Sequence, residues 1–446
     1  MILSVVGCGY LGAVHATSMA HLGHQVRAYD VDAEKISALS RGEPPFYEPG
    51  FNELLKDTLK TGRLLFTNSP ETAIRGAVLH FICVGTPQQS NSGSADLSHV
   101  DSAFQTIVQY ADRPGTIVGK STVPAGTARR LAEAIHGEGL AHPLQVAWCP
   151  EFLREGSAIA DTLNPDRLVF GVTNRASEIA LLEVFELLLE AGIPYITTDL
   201  ETAEMVKMAA NCFLATKISF INAMSEICDS VNADVVTLSL ALGFDDRIGN
   251  KFLDAGLGFG GGCLPKDLRA LSALAGELRA THAQNLLQAV DLINLHQRER
   301  TISRVESILG HEFSTMRVAI LGAAFKPNSD DVRDSPALVV ASALHHKGVS
   351  VRIHDPHAIE NSRKLFPSLN YSDTIEEASQ AADLIVHATS WAEYDEIDPG
   401  VLITQVRRPR LLDTRNSLDL QHWSQAGWQV FGLGRTGATS ARSGPT

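Results

Sequence analysis

The stretch Ile2–Asp30, ILSVVGCGYLGAVHATSMAHLGHQVRAYD, decides the fold of this chain. An apolar strand runs into the pattern G-x-G-x-x-G at Gly7, Gly9 and Gly12, a helix follows, and a second strand ends in Asp30. The first glycine permits a tight turn, the second lets the backbone approach a pyrophosphate, and the third lets helix and strand pack closely. The helix N-terminus attracts phosphate, and Asp30 can accept hydrogen bonds from ribose hydroxyls while repelling a 2′-phosphate. The pattern therefore predicts a Rossmann-type site for NAD rather than NADP.

Two further strands follow in AVLHFICVGTP and GTIVGKSTVPAGT, and each ends in a turn that carries hydroxyl side chains. Ligands of open α/β sheets bind at the carboxyl ends of the strands, so Thr86, Ser121 and Thr122 are expected to face the cofactor. The alternative for these hydroxyls is helix capping or turn chemistry, and the sequence alone does not decide between the two.

A second α/β pattern begins near Met316. MRVAILGAAFK reads as a strand and glycine turn, GVSVRIHDP as a strand ending in Asp355, and AADLIVHATS and RLLDTRNS as further strands. This order parallels the N-terminal half, which indicates a degenerate repeat. Because the second copy has lost the full glycine fingerprint, it is expected to bind something other than NAD, and a nucleotide is the natural candidate.

A long helix is predicted between these halves. From Thr197 to about Gly243 the pattern becomes helical, and DLETAEMVKMAANCFLATKISFINAMSEICDSV contains no glycine or proline. Lys207 and Asn211 lie four residues apart and share one face of this helix, although a lysine extending from a helix to solvent would have the same spacing. The predicted fold class is α/β, with two Rossmann-like doubly wound parallel-sheet domains joined by a long central helix. The predicted segments are an NAD-binding domain at 1–196, a central helical dimerisation region at 197–300 that packs against a partner subunit, a second Rossmann-like, nucleotide-binding domain at 301–435 and a disordered tail at 436–446.

Composition excludes several classes of function. The chain has 446 residues, 44% of them hydrophobic, and a net charge of −14, which argues against general affinity for nucleic acid or anionic membrane. The six cysteines are scattered without metal-type spacing, so neither a disulfide framework nor a metal site is expected. No run of about 18 apolar residues and no secretory signal is found, and we expect a soluble cytoplasmic protein.

The stretch GLGFGGGCLPKD, residues 256–267, places a cysteine after five glycines and an aspartate four residues later. A lone cysteine is more often a buried structural residue than a reactive one. The surrounding motifs decide the matter here. GCGYLG, ICVGTP, GKSTVPAGT, PEFLREGSAIAD, AEMVKMAANCFLATKISF, RIGNKFLDAGLGFGGGCLPKD, AFKPNSDDVRDSP and LLDTRNS together resemble the UDP-glucose/GDP-mannose dehydrogenase family from Met1 to about Arg435.

The resemblance implies an NAD-dependent, four-electron oxidation of a nucleotide-linked hexose at C6, with UDP-glucose and UDP-glucuronate as the expected substrate and product. An aldehyde cannot give up a second hydride until a nucleophile has added to its carbonyl. A thiolate can add, forming a thiohemiacetal that is oxidised to a thioester and then hydrolysed. By this resemblance Cys263 is the nucleophile, and the loop glycines let the backbone close around a sugar nucleotide without side-chain obstruction.

The resemblance also implies the other catalytic roles. Lys207 and Asn211 stabilise oxyanions at C6, Asp267 and Thr122 order a catalytic water, and Glu151 acts as general acid and base in thioester hydrolysis. The implied cofactor residues are Gly7, Gly9, Tyr10, Leu11, Gly12, Asp30, Lys35, Thr86, Ser121, Thr122, Glu155, Lys266 and Arg333. The implied substrate residues are Glu151, Phe152, Leu153, Lys207, Asn211, Arg247, Phe252, Leu253, Asp254, Ala255, Gly256, Gly260, Lys326 and Arg415. Arg247 is expected to reach the active site of a neighbouring subunit, which implies a homodimer. Lys35, Glu155 and Arg333 could instead be solvated surface charges.

Three departures from the family pattern leave alternatives open. Cys149 stands where many relatives have asparagine, Ala223 where many have glutamate, and Ala323 where a bulkier residue is common. None removes a catalytic group, but a TDP- or GDP-linked sugar remains an alternative substrate. A two-electron hydroxyacid dehydrogenase, which has no use for Cys263, and a non-enzymatic NAD-binding protein are the rival functions.

Overall fold

The computed structural model describes residues 1–89, 92–137, 142–310 and 313–435. The chain divides into two compact units, one formed by Met1–Ala210 with Ala270–Arg279 and the other by Asn211–Arg269 with the chain from Ala280 onward. The predicted tail at 436–446 lies outside the described residues. The three predicted functional segments remain a prediction.

The first unit contains an eight-stranded sheet. Its strands are β1 (Ile2–Val6), β2 (Gln25–Tyr29), β3 (Leu64–Thr67), β4 (Leu79–Ile82), β5 (Gly115–Gly119), β6 (Leu144–Trp148), β7 (Leu168–Gly171) and β8 (Tyr195–Thr198). They are arranged in the order β3-β2-β1-β4-β5-β6-β7-β8, and every neighbouring pair is parallel except β6 and β7, which meet antiparallel at Trp148 and Gly171. The prediction of a parallel Rossmann-like sheet is confirmed, and the antiparallel junction was not foreseen.

Helices cover both faces of this sheet. Leu3 and Val5 of β1 belong to one apolar core and Val6 to another on the opposite side, which explains why the strands read as continuous apolar runs. The helices of this unit are α1 (Tyr10–His21), α2 (Ala33–Ser40), α3 (Phe51–Lys60), α4 (Pro70–Ile74), α5 (Ser98–Tyr110), α6 (Thr127–Gly137), α7 (Ala158–Leu163), α8 (Arg175–Val184) and α9 (Glu186–Glu190).

The central part of the chain is helical. Its elements are α10 (Leu200–Val231), α11 (Val235–Gly243), α12 (Leu264–Glu277) and α13 (Thr281–Leu309). The predicted long helix is present, and α10 coincides to within one residue with the stretch 199–231 that contains no glycine or proline. The wider helical pattern from Thr197 to about Gly243 is interrupted at two points. Thr197 belongs to strand β8, and the helix ends before Asn232, whose φ of 58° interrupts it and separates α10 from α11. At 1.5 Å per residue, the 32 residues of α10 span about 48 Å.

The second unit contains an all-parallel six-stranded sheet. Its strands are β9 (Arg317–Leu321), β10 (Ser350–His354), β11 (Asn370–Tyr371), β12 (Leu384–His387), β13 (Arg410–Asp413) and β14 (Gln429–Gly432), in the order β11-β10-β9-β12-β13-β14. A short 3₁₀ helix (Phe313–Thr315) precedes the sheet, and the remaining helices are α14 (Pro336–His346), α15 (Ile359–Leu365), α16 (Ile375–Ser379), α17 (Ala392–Asp395), α18 (Pro399–Leu402) and α19 (Leu420–Gln425). This is the second Rossmann-like sheet that the sequence predicts.

The first turn of the two sheets follows one design. Gly7 donates its N–H to Tyr29 O at 2.8 Å, and Gly322 donates to His354 O at the same distance. Both glycines have positive φ, 95° and 110°, where an L side chain would be strained. The degenerate repeat is therefore present at the level of individual hydrogen bonds.

None of the helices in the described part of the chain combines the length and the apolar composition that a membrane span requires.

Candidate active site

The glycine turn of the first unit leaves space and donors for an anion. A Cβ on Gly12 would lie 1.8 Å from Gly7 O, so the first and third glycines are required by the turn itself. A Cβ on Gly9 would meet nothing within 4 Å, and helix α1 begins beside it at Tyr10 without a side-chain cap. The first N–H groups of α1 and the open space above Gly9 fit the pyrophosphate of a dinucleotide.

Asp30 is fixed at the end of β2 by the same turn. Its Oδ2 accepts the Cys8 N–H at 2.7 Å and its Oδ1 the Asp32 N–H at 3.0 Å, and the residue is 8% exposed. Lys35 Nζ lies 3.2 Å from Oδ2, so Lys35 is a partner of the carboxylate rather than a purely solvated charge. This arrangement orients the acid and keeps a cation beside it, and contact of Asp30 with the adenosine ribose stays a prediction.

The hydroxyls after β4 and β5 make turn contacts. Thr86 donates to Thr122 O at 2.8 Å, and Ser121 donates to Val84 O at 2.7 Å. These bonds tie together two loops at the carboxyl ends of adjacent strands. The turn chemistry that the sequence left open is thus present, and direct contacts of these residues with NAD stay a prediction.

A buried carboxylate that the sequence did not single out links the glycine turn to the Glu155 loop. Glu48 is 4% exposed and accepts the Tyr10 hydroxyl, the Gly156 N–H at 2.6 Å and the Ala158 N–H at 2.7 Å. Burial first, and then the bond to Glu48, raise the pKa of the Tyr10 phenol above its usual value. Leu11, the next residue, packs against the core. The stretch around Glu48, FYEPG, gives one signal, because it places an acid among apolar residues.

Lys207 and Glu151 form a buried ion pair in the first unit. Lys207 Nζ lies 3.2 Å from Glu151 Oε1, with side chains 6% and 12% exposed, and Glu151 Oε2 accepts the Leu153 N–H at 2.6 Å. Lys207 also lies over the Phe152 ring at 5.5 Å, and Arg167 stacks on that ring at 4.0 Å. Four predicted site residues therefore meet in one cluster. Arg167, which the sequence reasoning missed, fixes its aromatic member.

The second unit holds the cysteine loop and its polar cluster. Asn211 donates to Asp267 at 2.6 Å, Lys266 Nζ lies 2.6 Å from the same carboxylate, and Asp267 is 1% exposed. Cys263 precedes α12, and its carbonyl accepts the Asp267 N–H at 2.9 Å. Cys263 therefore stands immediately before the N-terminus of α12, whose first turn carries Lys266 and Asp267.

Exposure distinguishes Cys263 from the other cysteines. None of the six cysteines, all of which lie among the described residues, forms a disulfide; five are buried, while Cys263 is exposed. Burial raises the pKa of the Cys83 and Cys212 thiols to about 12, which makes them poor nucleophiles at neutral pH. Among the described residues, no group of three or more His, Cys, Asp or Glu could hold a metal ion.

The glycines before Cys263 pack against the protein itself. A Cβ on Gly260 would lie 2.3 Å from Asp334 O, one on Gly261 2.7 Å from the Phe325 ring, and one on Gly262 2.4 Å from Arg333 Cζ. These glycines are expected to leave room for a ligand. The structure adds a second reason for glycine here, because the nearest neighbour of each is a protein atom. Arg333 pairs with Asp331 at 2.7 Å while its backbone oxygen accepts the Gly261 N–H at 2.8 Å.

The predicted sugar-nucleotide residues of the second unit surround the start of this loop. Arg415 donates to Ala388 O at 2.6 Å and Gly258 O at 3.0 Å, and burial lowers the pKa of its guanidinium to about 10. Lys326 lies 5.4 Å from the Phe325 ring.

Phe252 adopts a φ of 64°, a strained conformation for a bulky residue. Leu253 and Ala255 are buried, and burial raises the pKa of Asp254. Strain of this kind concentrates at functional sites.

Arg247 is a surface residue of the second unit. Its side chain is 88% exposed and pairs with Asp245 at 2.6 Å. The predicted residues therefore fall into two groups, those of the first unit and those of the second, and Arg247 is an exposed member of the second. Helix α10 carries Lys207 and Asn211, one turn apart along the chain.

A Rossmann unit with an open glycine turn and an oriented acid places the chain among the NAD-dependent dehydrogenases. Three models of the UDP-glucose/GDP-mannose dehydrogenase family match it: the NAD binding domain at residues 1–189, the central domain at 201–296 and the UDP binding domain at 319–420. The chain belongs to this family.

Similar proteins cover almost the whole chain. The UDP-glucose 6-dehydrogenase YwqF of Bacillus subtilis is 39% identical over 98% of both chains, and the UDP-glucose 6-dehydrogenase of Rhizobium meliloti is 38% identical over 98% of this chain and 100% of its own. The structure of a UDP-glucose dehydrogenase from Pyrobaculum islandicum superposes with a TM-score of 0.89 at 36% identity, covering 98% of each chain. The predicted fold class, NAD as cofactor and dehydrogenase activity are thereby confirmed.

Proposed function

We propose that the protein oxidises UDP-glucose to UDP-glucuronate, using two NAD per sugar and a covalent intermediate on Cys263. Support for the substrate comes from the relatives at 38–39% identity that are named for it, and from the UDP binding domain of the family model. Support for the covalent step comes from one observation: the exposed thiol stands at the N-terminus of α12, four residues before the buried Asp267.

The residues divide the work as follows. The Gly9 turn and Asp30 would hold NAD, which would supply the hydride acceptor for both oxidations. In the first oxidation the C6 hydroxyl loses its proton to water, and the Lys207 ammonium stabilises the resulting oxyanion. The Cys263 thiolate then adds to the aldehyde carbon, forming a thiohemiacetal whose oxidation leaves a thioester. Glu151 accepts a proton from the water that attacks this thioester, and hydrolysis returns the Cys263 thiol and releases the carboxylate.

The stoichiometry of NADH formation tests this proposal. We expect two NADH per UDP-glucose from the unaltered enzyme. Cys263→Ala should form no acid but should still reduce the added C6 aldehyde with NADH, whereas the buried Cys228→Ala serves as the matched control and should retain activity. One NADH per sugar, or full turnover by Cys263→Ser, would favour the two-electron hydroxyacid chemistry. NAD binding without NADH formation from any nucleotide sugar would favour a non-enzymatic role.

The thioester can be sought directly in Glu151→Gln. Because the amide cannot accept the proton of the attacking water, hydrolysis should slow and the adduct on Cys263 should accumulate. Mass spectrometry of the denatured variant after incubation with UDP-glucose and NAD reports the added mass. A parallel panel of UDP-, TDP- and GDP-linked sugars identifies the base and sugar, and preference for a TDP- or GDP-sugar would replace the proposed substrate while keeping the chemistry.

A homodimer is the proposed assembly. Phe213, Phe220 and Ile227 recur at seven-residue intervals on α10 and are 66%, 47% and 54% exposed. A helix face with this much exposed apolar surface is typical of a subunit interface. Arg247 follows the 78%-exposed Phe244, so it is available to a second copy.

Mixing two inactive variants tests whether Arg247 acts across this interface. After subunit exchange between Arg247→Ala and Cys263→Ala, half of the dimers are mixed and each has one complete site, so about a quarter of the original activity should return. Arg247 acting within its own subunit gives no recovery. Phe220→Asp should yield monomers by sedimentation velocity.

A cytoplasmic location is also proposed, since none of the six described cysteines forms a disulfide and the mechanism requires a reduced Cys263. Fractionation of the native host tests it.

A further inference from the structure

The backbone that leads into Cys263 is held by side chains of two long helices. Residues 256–259 make few bonds with one another, and their polar groups are bound from outside. Leu257 donates its N–H to Thr414 O at 2.8 Å, and Gly258 O accepts from Arg415 at 3.0 Å. The remaining contacts come from two asparagines, Asn222 on α10 and Asn294 on α13, and both are fully buried.

Asn294 binds one residue of the loop at two points. Its Oδ1 accepts the Phe259 N–H at 2.8 Å, and its Nδ2 donates to Phe259 O at 3.0 Å. Two bonds to one residue fix its orientation as well as its position. Gly258 lies so close that an added Cβ would be 2.5 Å from Asn294 Oδ1, so the loop and the carboxamide are fitted to each other.

Asn222 holds the start of the same segment. Its Oδ1 accepts the Gly256 N–H at 2.8 Å. A buried carboxamide is costly unless it is hydrogen-bonded, and among the described residues the Asn222 Nδ2 has no hydrogen-bond partner, so the bond to Gly256 is what the side chain contributes. Holding a glycine-rich backbone that cannot anchor itself through side chains accounts for the presence of an asparagine at each position.

Little slack remains between this anchor and the thiol. Three glycines separate Phe259 from Cys263, and the first two are closely packed against Asp334 O and the Phe325 ring. Arg298, one turn after Asn294 on α13, binds Asp334 at 2.7 Å, so the same helix also supports the far side of the loop.

We infer that Asn294 and Asn222 are positioning residues that fix the backbone of residues 256–259 and thereby the place of the Cys263 thiol. The role of this thiol rests on the proposed function, whereas the anchoring of the loop does not. Neither asparagine touches the reacting atoms; both act through the loop.

The test compares Asn294→Leu and the milder Asn294→Ser with Thr301→Val. Thr301 is the matched control, because it is equally buried on α13 and bonds within its own helix to Gln297 O. Hydrogen exchange of the peptide spanning residues 256–263 reports the anchoring directly. We expect exchange there to accelerate at least tenfold in the Asn294 variants and not elsewhere, with kcat reduced at least tenfold and the NAD dissociation constant within twofold of the original.

Unchanged exchange in Asn294→Ser would overturn the inference, and so would faster local exchange with kcat within twofold of the original. Acceleration throughout the chain would also overturn it, because that result indicates general destabilisation. If Cys263→Ala were to leave turnover intact, the proposed function would fail while the exchange result still decided whether the asparagines anchor the loop.

Discussion

Asp30→Asn should shift the cofactor preference toward NADP. The carboxylate accepts the Cys8 N–H at 2.7 Å and the Asp32 N–H at 3.0 Å, and an asparagine oxygen can keep the first of these bonds. The change therefore removes a charge and one hydrogen bond of the turn, which costs about 1 kcal/mol of stability. It also releases Lys35, whose Nζ lies 3.2 Å from the carboxylate in the present structure.

The magnitude follows from two electrostatic effects. Replacing a charged by a neutral acceptor weakens each of two ribose hydrogen bonds by about 1 kcal/mol, which lowers NAD affinity about 30-fold. A 2′-phosphate with about two charges at about 5 Å from a carboxylate is repelled by roughly 1.7 kcal/mol even in bulk water, and the variant loses this repulsion. Together these effects lower the ratio of the NADP to the NAD dissociation constant by about 500-fold.

Calorimetric titration of NAD and NADP measures this ratio. Asp32→Asn is the matched control: it removes a charge two residues away, on a 48%-exposed side chain 3.9 Å from Lys35, and asparagine still caps α2. The control should leave the ratio within threefold of the original. A similarly small change in Asp30→Asn, with the fold intact, would refute the assignment of Asp30 to the ribose.

Three other perturbations test the buried groups. Burial raises the pKa of Glu204 to about 7, so between about pH 4.5 and pH 7 the folded chain retains a proton that the unfolded chain releases. The contribution of the protonated Glu204 to stability is complete below about pH 4.5 and is lost as the pH rises through about 7. Glu204→Gln removes the titration, and its free energy of unfolding relative to the original should rise between pH 5 and pH 8 by up to about 3 kcal/mol in urea titrations; a constant difference would contradict the shift. Gly260→Ala places a Cβ 2.3 Å from the Asp334 backbone oxygen, so it should lower the free energy of unfolding by about 1–3 kcal/mol and also lower kcat. An unchanged melting temperature would show that the loop can shift to accommodate the methyl group. Lys207→Met removes the cation 3.2 Å from Glu151 and should reduce kcat by about 10²–10³-fold, so a loss below tenfold would remove Lys207 from the oxyanion role.

Local patterns predicted the parts of the fold that depend on local physics. The strand, glycine turn and acid of residues 2–30 are contiguous, so sequence spacing alone determined their geometry. The strands of both sheets read as apolar runs because helices bury them on both faces. The antiparallel pairing of β6 and β7 was not predicted, because the composition of a strand does not indicate its direction in the sheet. The wider helical pattern was begun at Thr197, inside β8, because that strand is short and mostly exposed.

The residues of the candidate site also divide into those that local sequence patterns predict and those that they do not. Cys263, Lys207 and Asp267 stand in dense motifs, and the sequence therefore predicts them as site residues. Glu48 and Asn294 were not, because their roles come from contacts 108 and 35 residues away along the chain. A buried polar residue that serves a distant backbone group leaves no spacing signal, and tertiary structure is needed to find it.

Asp355 occupies in the second sheet the position that Asp30 has in the first, but protein groups already use its carboxylate, which closes this turn to a dinucleotide. It ends β10 as Asp30 ends β2, but its carboxylate accepts five donors: the N–H groups of Ala323, Ala324, His357 and Ala358, and the Trp391 indole at 3.1 Å. The Asp355 carboxylate therefore stabilises the turn, and these protein donors already occupy its lone pairs. A protein engineer wishing to install a second dinucleotide pocket here would have to take donors away, beginning with the tryptophan, instead of adding an acceptor.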